Sequence, residues 1–347
     1  MKKSIFLSVL ALAAVVSCQK SEIVDSKYGN EEIGFESYVG RDAQTKATPY
    51  GLTALPASIG VYGFYLGTAT DWSASSKANL WVNEEFAKPA SGLWSTENKK
   101  YWTNGTDTYT FFAYAPYADG TLTKGDGSLV APKTANLVDP ELTYTVPTAL
   151  ANQVDLIYSN NLKPTWKDKT NATALTFNHA LSRFNVYAAE NAASDFTFTI
   201  KKIYVKGNFY TKGTFNLGDG DWDTSAAENY TVTENKEYVL YEGDYTVTTS
   251  SKNFAETEAN YGYLMAIPTS ETIKLYVVYT ITYAEQISAP ITKDFVFTTG
   301  CTKGTAYAAN LLFQLDESNE IKFSVDVTNW SEPTPTTFYP EAAPVQQ

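Results

Sequence analysis

The sequence predicts an all-β protein built as tandem β-sandwiches, and three observations lead there. Aromatic residues make up 14% of the chain, with 25 tyrosines, and threonine is abundant; these are side chains that suit a pleated, half-buried surface. Apolar and polar residues alternate at period two in many short runs separated by glycine, asparagine and aspartate. No run of 10 to 15 residues between them carries a strong helical period, which argues against a parallel α/β sheet.

Residues 1–18 are set apart from the fold. Lys2 and Lys3 precede an apolar run of 12 residues, Ile5 to Val16, too short to span a bilayer as a helix. Val15-Val16-Ser17-Cys18 resembles the lipobox of bacterial lipoproteins, so Cys18 is the expected lipidation site and the chain reads as an exported lipoprotein precursor. Acyl chains on Cys18, at ~0.8 kcal/mol per buried CH₂, would hold it to a membrane. Residues 19–30 then read as a polar tether.

The first fold element is "EEIGFESYV", residues 31–39, where Ile33, Phe35 and Val39 point to one face with Ser37 between them. Burying those three side chains is worth roughly 5 to 8 kcal/mol at about 1.5 to 3 each. That is comparable with the whole stability of a domain, about 5 to 15 kcal/mol. Removing such a strand leaves a groove and unpaired backbone edges. "GRDAQTKATPYG" follows directly; it is small and polar, with Arg41 and Lys46 as its basic residues, and suits proteolytic nicking.

Further strands are expected in "DTYTFFAYAPY", "DLIYSNN", "SRFNVYAA", "DFTFTIKKIYVKGNF" and "KDFVFTTG". The longest alternation is "IKLYVVYTITY", which puts Ile273, Leu275, Val277, Tyr279, Ile281 and Tyr283 on one face. "IKFSVDV" is expected to turn Ile321, Phe323, Val325 and Val327 inward. Asn104-Gly105, Gly125-Asp126-Gly127 and "LGDGDWD" supply tight-turn chemistry between strands. The polar stretch 159–173 with its proline is the expected join, giving an N-terminal sandwich over 31–170, a C-terminal one over 171–332 and a proline-rich tail over 333–347.

Chemistry-bearing clusters are not legible. The single histidine, His179, sits among apolar residues and reads as structural, and no Gly-x-Ser-x-Gly elbow accompanies it. Asp219, Asp221 and Asp223 open like a calcium loop, but Thr224 replaces the glycine at position six and Tyr230 the glutamate at position twelve. A hairpin turn explains that stretch. Cys301 reads as a small buried hydrophobe. Trp72, Trp81, Trp94, Trp102 and Trp166 are more readily core and cross-strand packing than a sugar platform. The formal net charge of −12 disfavours nucleic acid as a partner. No catalytic residue, metal site or cofactor is therefore expected, and no enzymatic activity.

The lipobox, the Ile33-x-Phe35 strand, "TKAT", "VYGFY", "YWTNGTDTYTFFAYAPY", "FNHALSRFNVY", "YLMAIPTSETIKLYVVY" and "FSVDVTNW" together resemble the fimbrillin family, the subunits of type V pili and their lipoprotein relatives. The resemblance implies two transthyretin-like β-sandwiches and a function as a structural subunit of a cell-surface fimbria. It further implies that a trypsin-like or arginine-specific protease cuts at Arg41 or Lys46, removing the strand that carries Ile33, Phe35 and Val39. A strand from another fimbrial subunit then fills the groove by β-strand addition. The tail departs from the family's donor appendage by carrying Pro333, Pro335, Pro340 and Pro344, although Phe338 could still serve as a donor plug. The alternative is an uncleaved surface lipoprotein acting as pilus anchor, tip adhesin or glycan-binding protein.

Overall fold

A computed structural model describes residues 32–39, 56–69, 78–88, 93–103, 107–134, 139–165, 173–191, 195–257, 262–314 and 321–330. Strands dominate it, and the only α-helix among the described residues is the four-residue α1 (Phe254–Thr257). The chain is all-β, as its composition and period-two alternation imply.

The first sheet contains β1 (Phe35–Val39), β2 (Ser58–Gly67), β3 (Ala78–Ala87), β4 (Thr108–Ala115), β8 (Ile157–Thr165) and β9 (Thr173–His179), in the order β1-β9-β8-β4-β2-β3. Every residue of β4 is buried, because its two faces serve two different cores. Phe111 and Ala113 face one core with Ile59, Val61 and Trp81, while Phe112 and Tyr114 face a larger one with Tyr62 and Phe64. A run buried on both sides loses its alternation, which is why "TYTFFAYA" reads as continuously apolar.

A second sheet comprises β10 (Ser182–Glu190), β14 (Lys252–Asn253), β15 (Leu264–Ala266), β19 (Thr305–Phe313) and β20 (Lys322–Asn329). The third contains β5 (Thr121–Lys124), β6 (Gly127–Val130), β7 (Glu141–Thr145), β11 (Thr197–Asn216), β12 (Asp221–Asp223), β13 (Tyr230–Thr246), β16 (Ile273–Tyr283), β17 (Gln286–Ile287) and β18 (Ile291–Thr298). The larger core takes side chains from both, including Phe184, Val186 and Tyr307 from the second sheet and Ile203, Leu275 and Val277 from the third. Two buried inner faces of this kind are the packing expected of a β-sandwich.

Strand pairing crosses the expected join near residue 170 in both directions. β8 and β9, which flank it, are neighbours in the first sheet, and β7, far upstream, pairs with Lys212–Asn216 of β11. "LGDGDWD" forms the β11–β12 turn. Gly220 there has φ +68°, and a Cβ at that position would run into the Tyr158 ring.

One inward expectation fails. Ile321 is buried and Phe323 and Val325 are half-buried against the larger core, but Val327 is 60% exposed. β20 is paired only with β19 among the described residues, so at the Val327 end nothing described covers its inward face.

Candidate functional site: the seat of the N-terminal strand

β1 lies between two backbone edges. On one side it runs parallel to β9, with Phe35 opposite Thr173 and Val39 opposite Phe177. The Thr173 amide donates to the Gly34 carbonyl at 3.2 Å. On the other side two isolated antiparallel bridges, Glu32 with Tyr101 and Phe35 with Trp94, hold its start. The Ile33 amide donates to the Lys100 carbonyl at 2.9 Å, and the Trp94 amide donates to the Phe35 carbonyl at 2.9 Å. Ser95 in turn exchanges two backbone hydrogen bonds with Ala87 at the end of β3, the far edge of the same sheet. At the level of Phe35 the first sheet is thereby closed into a ring, Trp94 and Ser95 linking β1 at one end to β3 at the other.

Alternation in "EIGF" decides which side chains enter that ring. Ile33 is 1% exposed and Phe35 is fully buried. Phe35 makes edge-to-face contacts with Phe111 at 5.0 Å, Phe86 at 5.1 Å and Trp81 at 6.2 Å between ring centres. Such contacts add about 0.5–1.5 kcal/mol each beyond burial itself. Leu175 and Phe177 of β9 and Trp94 complete the wall. At the surface, Lys99 pairs with Glu32 at 2.8 Å, and the Lys88 ammonium lies over the Trp94 ring.

A polar network closes one end of this core. Tyr65 donates to the Asp107 carboxylate at 2.8 Å, and the Tyr109 hydroxyl accepts from the Thr103 amide at 3.0 Å. Burial, reinforced by the hydrogen bond to Asp107, pushes the Tyr65 hydroxyl up to about 12. Burial raises Tyr109 as well. Both phenols are therefore neutral donors or acceptors at ordinary pH, not nucleophiles.

The tryptophans expected to be packing are packing: Trp81, Trp94 and Trp102 are all buried in this core. Trp72 and Trp166 lie outside the described residues. Cys301 is buried and unpaired, with burial raising its thiol. His179, the last residue of β9, places Nδ1 2.9 Å from Asp155 and stacks flat on Trp330 at 4.2 Å. Arg183 lies over the other members of this cluster, 5.4 Å from the Trp330 ring and 4.7 Å from that of Tyr263. The imidazole is thus held by a carboxylate and covered by an indole, an arrangement that joins strands. No group of three or more potential metal ligands occurs among the described residues.

Of the site residues expected from sequence, Ile33 and Phe35 meet in the ring core. Val39 is placed by its backbone alone, opposite Phe177. Cys18, Arg41, Lys46 and Phe338 lie outside the described residues. Trp94, Lys100 and Thr173 were not anticipated as partners of β1; the run Trp94–Lys100, WSTENKK, carries no alternation that would mark it as a strand's neighbour.

A family profile described as fimbrillin-like matches residues 45–330. Fimbrium subunit Fim1C of Phocaeicola vulgatus is 24% identical over 251 residues, covering 66% of this chain and 64% of that relative. The chain thus spans a little under two thirds of that relative's length. A crystal structure of a fimbrial protein from Bacteroides vulgatus superposes with a TM-score of 0.64 at 18% identity, covering 87% of this chain and all of the other; it is similar in fold.

Proposed function

The chain belongs to the fimbrillin-like family, and from that premise we propose that it is a structural subunit of a cell-surface fimbria, exported as a lipoprotein precursor and assembled by strand exchange after proteolysis. In this reading Cys18 carries the lipid that holds the precursor to the outer membrane, and a trypsin-like or arginine-specific protease cuts after Arg41 or Lys46. A strand from another fimbrial subunit then takes the place of β1. No catalytic step is assigned to this chain.

The observation that supports this most is the seat of β1. A short edge strand contributes two fully enclosed side chains to the core and is hydrogen-bonded on both edges. Its absence therefore exposes a trough lined by Trp81, Phe86, Trp94 and Phe111 and two backbone edges at once, which is the chemistry of β-strand addition. The two-sandwich organisation belongs to the same reading; β7 pairs with β11 and β8 with β9 across residue 170.

The test is the intact mass of the protein taken from native cells. A chain beginning at Asp42 or Ala47 is expected in fimbriae. If every preparation keeps the lipid on Cys18, the polymerising-subunit reading is wrong and the second reading takes over: an uncleaved anchor, tip adhesin or glycan-binding lipoprotein. The four prolines of the tail favour that second reading, since proline cannot donate to a ladder. Burial of Trp81, Trp94 and Trp102 removes them from any glycan platform.

A further inference from the structure

We propose that cutting the chain and opening the groove are separate events, and that the severed N-terminal piece stays bound until another strand displaces it. The inference rests on the processing step proposed above. Hydrolysis of one peptide bond beyond Val39 adds water across it, leaving a new carboxylate on the lid and a new amine on the body, but it touches none of the interactions that seat β1. Those interactions lie upstream of the cut: Ile33 and Phe35 in the core, the Ile33, Trp94 and Thr173 amide hydrogen bonds, and the Glu32–Lys99 ion pair.

Their distribution is uneven. Residues 32–35 are held on both edges and by two enclosed side chains. Among the described residues, the partner edge on the 94–101 side ends at Trp94, so residues 36–39 are paired with β9 alone. The end nearest the cut is therefore the end an incoming strand can compete for first, and the Phe35 pocket is the last to change hands. The released piece also carries Cys18, so a cut subunit stays tethered wherever its lid is tethered; detachment and groove opening become one event.

The test uses the full chain with a sequence-specific protease site introduced between Asp42 and Ala47, cut to completion as judged under denaturing conditions. Native size exclusion and native mass spectrometry are expected to show the N-terminal piece travelling with the body. In the cut Phe35→Ala protein the piece should dissociate at least ~100-fold faster, the factor set by the lower bound for removing a buried phenylalanine side chain. Phe35→Leu, which keeps an apolar plug, serves if the alanine variant fails to fold, and should fall between the two. A piece that separates from the body on the column overturns the proposal, as does a Phe35→Ala piece held as firmly as the parent. Neither result bears on the fimbrial reading, which the native-cell mass measurement decides.

Discussion

Replacing Phe35 by alanine should open one strand and leave the rest of the fold standing. The side chain is fully enclosed and touches three aromatic rings edge-on, so its loss falls in the range of about 3–5 kcal/mol seen for buried Phe→Ala changes. β8 and β4 keep their own ladder without β1, while β9, whose Thr173–Phe177 pair with β1, is left with its two pairs to β8 at Asn178 and His179. The loss therefore appears as a shift in local opening of β1, by a factor of about 100 to several thousand at 1.36 kcal/mol per decade. Amide hydrogen exchange reads it directly. The amides of Ile33, Trp94 and Thr173, whose acceptors are Lys100, Phe35 and Gly34, should lose that much protection. The Ala180 and Gly304 amides, bonded to Leu156 and Leu181 elsewhere, should change little. Equal losses at both sets would mean that β1 opens only with global unfolding, and the idea of a separable lid would be wrong.

Other outcomes follow from the same structure. Trp330→Ala removes the buried indole that stacks on His179 and lies near the Arg183 guanidinium and should cost about 3–5 kcal/mol in urea denaturation; a change below ~1 kcal/mol would deny the stack a structural role. Tyr65 is raised to about 12 in the folded chain, and burial raises Tyr62, Tyr114, Tyr144, Tyr238 and Tyr263 further. The folded state thus holds these protons more tightly than the unfolded one. Their contribution is complete below about pH 10 and is lost as pH climbs through 12 and beyond, so denaturation midpoints should fall across that alkaline window, with phenolate absorbance appearing as the protein unfolds. Val327→Lys should shift stability by no more than ~0.5 kcal/mol, because the side chain is already in solvent; a penalty above ~2 kcal/mol would put it back in the core.

Local pattern carried much of this fold. The alternation in "IKLYVVYTITY" marked β16 from Ile273 to Tyr283 with the bounds the structure has, because one of its faces packs on the core. In β20 the same alternation is misleading at Val327, since an edge strand's inward face is covered only as far as its neighbours reach. The inward placing of Ile33 and Phe35 could be read from their spacing, but their surroundings could not. β1 meets β9 across more than a hundred intervening residues, and Trp94 across nearly sixty, and such pairings leave no mark on either segment taken alone. The polar, proline-containing stretch 159–173 reads as a join, yet its described residues 159–165 belong to β8, whose pairing with β4 local polarity does not announce.

The Trp94 and Ser95 bridges link the two ends of the first sheet at the level of Phe35 while β1 is in place. At that level the backbone groups of β1 and of the end of β3 are satisfied through Trp94 and Ser95, whereas, among the described residues, 36–39 pair with β9 alone. Withdrawing a single stave breaks the ring in two places, and the rails so exposed face each other across one strand's width. In the strand exchange proposed above, an incoming polypeptide restores the closure by fitting both rails while filling the aromatic pocket between them, so the fidelity of that proposed joining rests on geometry rather than on stickiness.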